Sequence, residues 1–144
     1  MTVTARGTSF KSRPMFGSTP RVLRYAAVMF LAGLLLHNAD HFRRGLDAVT
    51  PAVLWAGSLG GIVSLAAIGL TLRGYHRGPL LAAAVGFSMA LGVSIVHLLP
   101  RWSALSDSLP DGNVDPLTWI AVLCEIVGAL VFGWVGLRHV NTSV

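Results

Sequence analysis

The sequence predicts an all-α bundle of four membrane-spanning helices with both termini in the cytoplasm. Three observations lead there. The chain is 53% hydrophobic and 12% charged, with mean hydropathy +0.67, whereas about a quarter of an ordinary soluble domain is charged. The apolar residues gather in four runs, each near the ~20 residues that cross ~30 Å of hydrocarbon as helix. Lysine and arginine fall mainly in segments that would share one side of the bilayer, eight on that side and three on the other, the asymmetry of cytoplasmic loops.

Residues 1–20 are polar, basic and rich in Ser, Thr and Gly, which predicts a mobile cytoplasmic tail. The transmembrane domain occupies 21–140, with helices expected at about 21–42, 51–72, 79–99 and 116–137. Helix is the expected conformation because a chain in lipid must satisfy its own backbone polar groups. The boundaries are punctuated. Thr50-Pro51 and Asp115-Pro116 each place a capping oxygen before a proline at the first helical position. Gly78-Pro79 opens the third helix in similar fashion, and Pro100 limits its end. The first run is short enough to suggest a cleaved signal peptide, but Leu36, His37 and Asn38 are poor candidates for a small-x-small cleavage site. The helix is expected to remain.

Arg6, Lys11, Arg13, Arg21, Arg24, Arg73, Arg77 and Arg138 mark the cytoplasmic side; Arg43, Arg44 and Arg101 lie opposite. Trp55, Trp102 and Trp119 belong to the outer boundary, and Tyr25, Tyr75 and Trp134 to the inner one, where amphipathic rings favour the headgroup level. The two hairpins are faintly alike, His37 then "TPAVLW" against His97 then "DPLTW", which a parallel duplication would produce. Gly57 and Gly61 form a GxxxG, and Gly86 and Ala90 a related pair. Both are expected to pack inside the bundle; a homo-oligomer or a membrane-protein partner is the alternative use of such faces.

The net charge of +5 and pI near 10.7 do not indicate nucleic acid, because no patch interleaves basic and aromatic residues. The lone Cys124 excludes a disulfide framework and is expected to be a small packing residue. Met29 and Met89 are expected in packing, and His76 and His139 in solvent. "DGNVD" (111–115) opens like a calcium loop but lacks the glycine and glutamate that loop needs, so a turn and helix cap are expected. Phosphate-cradling loops, nucleophile elbows and dinucleotide fingerprints are absent from the sequence.

The chemistry gathers in "LLLHNADHFRRG". His37, Asp40 and His41 stand at i, i+3 and i+4, on one helical face. Imidazoles one turn apart are a recurrent metal chelate. His97 and Glu125 intrude into the third and fourth runs. At 1.5 Å per residue, His37, His97 and Glu125 lie ~9, ~5 and ~12 Å inside the outer boundary. Ionisable groups there face the bundle interior or a wet cavity, so the five residues are expected to converge. One reading is a metal site of His37, Asp40, His41, His97 and Glu125, whose donors suit zinc, copper or iron. A second is haem between His37 and His97. A third is acid–base chemistry on a lipid-like substrate, or proton-coupled transport, using Glu125 and His97. The alternative is a non-catalytic membrane component in which the same groups staple the helices.

The stretches "HFRRGLDAVTPAVLWAG" and "HLLPRWSALSDSLP", within a likeness over residues 21–138, resemble small four-span integral membrane proteins of actinobacterial type. The resemblance implies a four-helix bundle in the bacterial cytoplasmic (inner) membrane, with the lipid bilayer as partner. It brings no catalytic residues to this chain.

The charge asymmetry generates a first prediction. Green fluorescent protein fused after Val144 should fluoresce, and alkaline phosphatase fused there should be inactive. An active phosphatase fusion would reverse the orientation.

Overall fold

The computed structural model describes residues 15–112 and 114–140. Four helices follow in order, α1 (Arg21–Arg44), α2 (Pro51–Leu72), α3 (Gly78–Leu98) and α4 (Pro116–Val140), with a 3-10 turn at Leu46–Ala48 after α1. All four are long and apolar enough to cross a membrane. Among the described residues there is no strand, only an isolated bridge between Phe16 and Tyr75. The protein is an all-α, multi-pass membrane bundle.

Helix ends follow local chemistry. Thr50 Oγ1 accepts from Val53 N at 3.3 Å, with Pro51 at the first helical position. Asp115 Oδ1 accepts from Leu117 N at 2.9 Å and Thr118 N at 3.1 Å. α1 runs two residues past its expected end and stops at Gly45, whose φ of 90° side-chain-bearing residues rarely adopt. α3 stops one residue early because Leu99, before Pro100, is extended. α4 runs three residues further than expected, to Val140.

α4 is the central helix. Half of its apolar window is buried, against 22% for α2 and for α3. Small residues bring its neighbours close. A Cβ on Gly33 of α1 would lie 2.6 Å from Cys124 O, and one on Gly128 would lie 2.9 Å from Phe30 Cα. On the other flank a Cβ on Gly86 of α3 would lie 2.5 Å from Gly133 N and 2.6 Å from Ala129 O. Backbones this close gain dispersion contacts, which drive helix association in lipid. Around them Leu23, Ala27, Phe30, Ala82, Ala129 and Phe132 form a core, with the Phe30 and Phe132 rings 5.6 Å apart. A second cluster joins Val93 and Val122 to Leu109 of the α3–α4 connection.

α2 behaves differently. Ser64, Ala67, Ile68 and Thr71 are buried, but the same seam nearer the helix start meets a cavity. The expected intramolecular use of the GxxxG is therefore corrected: nothing lies within 4 Å of a Cβ on Gly57 or Gly61. Gly86 packs inside the bundle as expected. Cys124 is exposed rather than packed, because its neighbour Glu125 takes the inward position.

Of the tail expected to be mobile, residues 1–14 lie outside the described residues. The remainder is fastened to the α2–α3 turn. Gly17 N donates to Gly74 O (2.8 Å), His76 N to Met15 O (3.0 Å) and Thr19 Oγ1 to Thr71 O (2.7 Å). Gly74, at φ 75°, has no room for a side chain against Gly17. Tyr25 and Trp134 are exposed near this end, and Trp55 and Trp102 near the other, while Trp119 packs on the second cluster.

Gly86→Ala should destabilise the protein by about 1–3 kcal/mol through overpacking. Gly57→Ala should leave stability unchanged or raise it by up to ~1 kcal/mol through helix propensity. Thermal unfolding of both in detergent checks the pair, and equal losses would contradict this packing.

Candidate metal centre

The last two turns of α1 carry His37, Asp40 and His41 toward α3 and α4, as their spacing requires. His97 comes from the last turn of α3 and Glu125 from the third turn of α4. The connection after α3 then folds back on it. Asp107 N donates to Val96 O at 3.0 Å and Leu109 N to His97 O at 2.9 Å. These bonds satisfy carbonyls that a helix end leaves orphaned. Leu109, 1% exposed, anchors the fold-back and so fixes Asp107 beside His97.

Three imidazoles meet at this end of the bundle. The ring centroids of His37 lie 4.6 Å from those of His41 and 4.7 Å from those of His97; His41 and His97 are 5.8 Å apart. One nitrogen from each lies within 4.8 Å of the other two. His37 and His97 are buried, and His41 is partly so. His37 Nδ1 is paired with Glu125 Oε2 across the α1–α4 contact. His97 Nδ1 donates to Asp107 O at 3.0 Å, with Asp107 Oδ2 at 3.5 Å. A carbonyl only accepts, so the proton of His97 is placed on Nδ1 and the lone pair on Nε2. An ionised Glu125 does the same for His37. This is the outer support that metal-ligating histidines regularly carry. His37 Nε2 and His41 Nδ1 are buried with no hydrogen-bond partner. A buried polar atom left so costs about 1–3 kcal/mol, and ligation would remove that cost.

Of the expected ligands, Asp40 does not join the trio. Its Oδ1 accepts from Arg43 Nε (2.9 Å) and Nη2 (2.7 Å), and Arg44 Nε lies 3.9 Å from Oδ2. Arginines three and four residues later share its helical face and claim the carboxylate first. Both then reach further. Arg43 donates to Thr118 Oγ1 (3.1 Å) and pairs with Asp115 (2.8 Å); Arg44 pairs with Asp107 (2.8 Å). Asp40 is thus the hub of a network tying the end of α1 to the middle of the α3–α4 connection at Asp107 and to its far end at Asp115. Glu125 stands behind His37 rather than within the trio. The expected haem does not fit between His37 and His97. Their rings are in contact, with centroids 4.7 Å apart, which leaves no space for an iron and its macrocycle between them.

Sequence reasoning missed Asp107. It sits in an irregular loop where no periodicity indicates direction. The nearest signal is Leu109, an apolar residue among serines and aspartates. No protein-family model, curated protein or solved structure matches the chain.

The N–H of Thr118, and next the Arg43 guanidinium, hold the Asp115 carboxyl below its ordinary pKa of 3.8. A depressed folded-state pKa contributes stability above pH 3.8 that is lost as pH falls through the lower folded value. The melting-temperature difference between wild type and Asp115→Asn should therefore be constant at neutral pH and shrink below about pH 3.8. An unchanged difference at acid pH would show that the cap and ion pair carry no charge-dependent stability.

Proposed function

We propose that this protein is a metal-binding component of a bacterial cytoplasmic membrane, holding a transition-metal ion on His37, His41 and His97 near the noncytoplasmic surface. The observation that carries the reading is the convergence of three imidazoles from two helices, with buried, unpartnered nitrogens on His37 and His41. Three neutral imidazoles without a thiolate suit zinc, copper or iron. Three protein ligands leave a coordination position open, as in exchangeable or catalytic sites rather than closed structural ones. Glu125 and Asp107 orient the imidazoles, and Asp40 with Arg43 and Arg44 holds the end of α1. The positive-inside asymmetry of the arginines supports the noncytoplasmic placement.

The protein purified in mild detergent and incubated separately with each ion should bind near-stoichiometric Zn, Cu or Fe. His37→Ala, His41→Ala and His97→Ala should each lose the ion, and Asp40→Asn should retain it. Glu125→Gln should weaken binding by about 10–100-fold, the usual effect of disturbing a ligand's outer support. If the polar groups only staple the helices, Glu125→Gln lowers thermal stability and no preparation holds metal. That result would remove the metal reading.

A further inference from the structure

Beside the imidazoles lies a cavity of ≈ 460 Å³ between α1, α2 and α3, within the ~300–1,000 Å³ of small-molecule sites. One wall is polar, with His37, His41, His97 and Glu125. The remainder is apolar, with Leu34, Val53, Leu54, Met89, Val93 and Val96. On the α2 side it reaches Gly57, where nothing lies within 4 Å of a Cβ, between buried Val53 and buried Ser64.

The cavity opens sideways. Phe42, Leu54, Gly57 and Gly92 line it and are also exposed. Gly57 is six residues inside the start of α2, and Gly92 six residues inside the end of α3, each ~9 Å along its helix. An opening at that depth faces acyl chains rather than water. Along α3 the cavity runs from His97 to Met89, ~12 Å at the helical rise, roughly the length of an eight- to ten-carbon chain.

We propose that this cavity binds an acyl-chain amphiphile from the bilayer, its anionic oxygen headgroup completing the coordination of the ion on His37, His41 and His97 and a hydrocarbon chain lying along α3. The proposal rests on the metal reading above. Three neutral imidazoles leave the full charge of a divalent ion uncompensated in the trio. The nearby Glu125 carboxylate is taken by His37, and that of Asp40 by two arginines. An anionic oxygen donor therefore complements the open position. The apolar wall selects a ligand with a chain, and its run of ~12 Å along α3 sets the length of chain it can bury.

The test uses the full chain in nanodiscs, loaded with Co(II) and assayed for metal before ligand is added. The probes are acetohydroxamate and octanohydroxamate, which share a metal-binding head and differ in chain length. The readout is the Co(II) visible spectrum, which reports coordination rather than partition into lipid. Octanohydroxamate should perturb the spectrum at a concentration at least about tenfold lower than acetohydroxamate, since each buried methylene adds affinity. Gly57→Leu and Gly92→Leu add side chains where nothing lies within 4 Å of a Cβ, so both should fold. Each should retain metal and acetohydroxamate binding while the chain-length gain falls below about threefold. Equal affinities for the two probes, or a full gain in both variants, would overturn the cavity proposal and leave the metal site standing. Absence of cobalt in wild type would overturn both together.

Discussion

Lipid offers no hydrophobic force to hold helices together, so α1 and α3 reach α4 through dispersion contacts that only small residues permit. Gly33 and Gly128 set the α1–α4 approach, and Gly86 with Gly133 sets the α3–α4 approach. The position of every polar group follows from these spacings. Glu125 can pair with His37 because the two backbones meet one turn or so away, at Gly33 and Cys124. With α1 and α3 both drawn onto α4, their inward faces are drawn toward each other, and the imidazoles of His37, His41 and His97 come into ring contact.

The close packing around α4 and the open space beside α2 are complementary. Large side chains fill the half nearer the start of α1 and the end of α4, where Phe30 and Phe132 meet. In the other half α2 presents Gly57 to empty space, and the polar cluster borders an apolar cavity instead of a solid core. The α3–α4 connection covers the end of the cluster. It is held by Leu109 beneath, by Arg44 at Asp107 and by Arg43 at Asp115. Burial of His97 is thus a product of loop docking as well as helix packing.

The Asp40 network illustrates how charges are tolerated here. Two arginines at the edge of the hydrocarbon would be costly alone. Each is shared between Asp40 and an aspartate of the following connection, so both remain near their partners at the bundle end. The imidazole cluster has no comparable compensation on its inward nitrogens. In the ionic network Arg44 Nε is likewise buried without a hydrogen bond, yet that charge is met by Asp40 and Asp107; the unpartnered His37 Nε2 and His41 Nδ1 mark the candidate site.

By itself the sequence determined the four helices, their approximate limits and the shared face of His37, Asp40 and His41. These follow from hydropathy, from Thr50, Asp115 and the prolines, and from the 3.6-residue repeat, all of them local properties. It also placed His37, His97 and Glu125 at similar depth, because depth along a helix is a count of residues. Tertiary structure alone decided which of the five polar residues met. Asp40 and His41 are indistinguishable by periodicity, yet one is claimed by arginines of its own helix and the other faces His97. Asp107 entered through the fold of an irregular loop, which carries no repeat to read. The cavity lies where Gly57 of α2 meets no other helix within 4 Å, which depends on what those helices present to it. Contacts between segments distant in the chain depend on the shapes of both partners, and no local pattern encodes them.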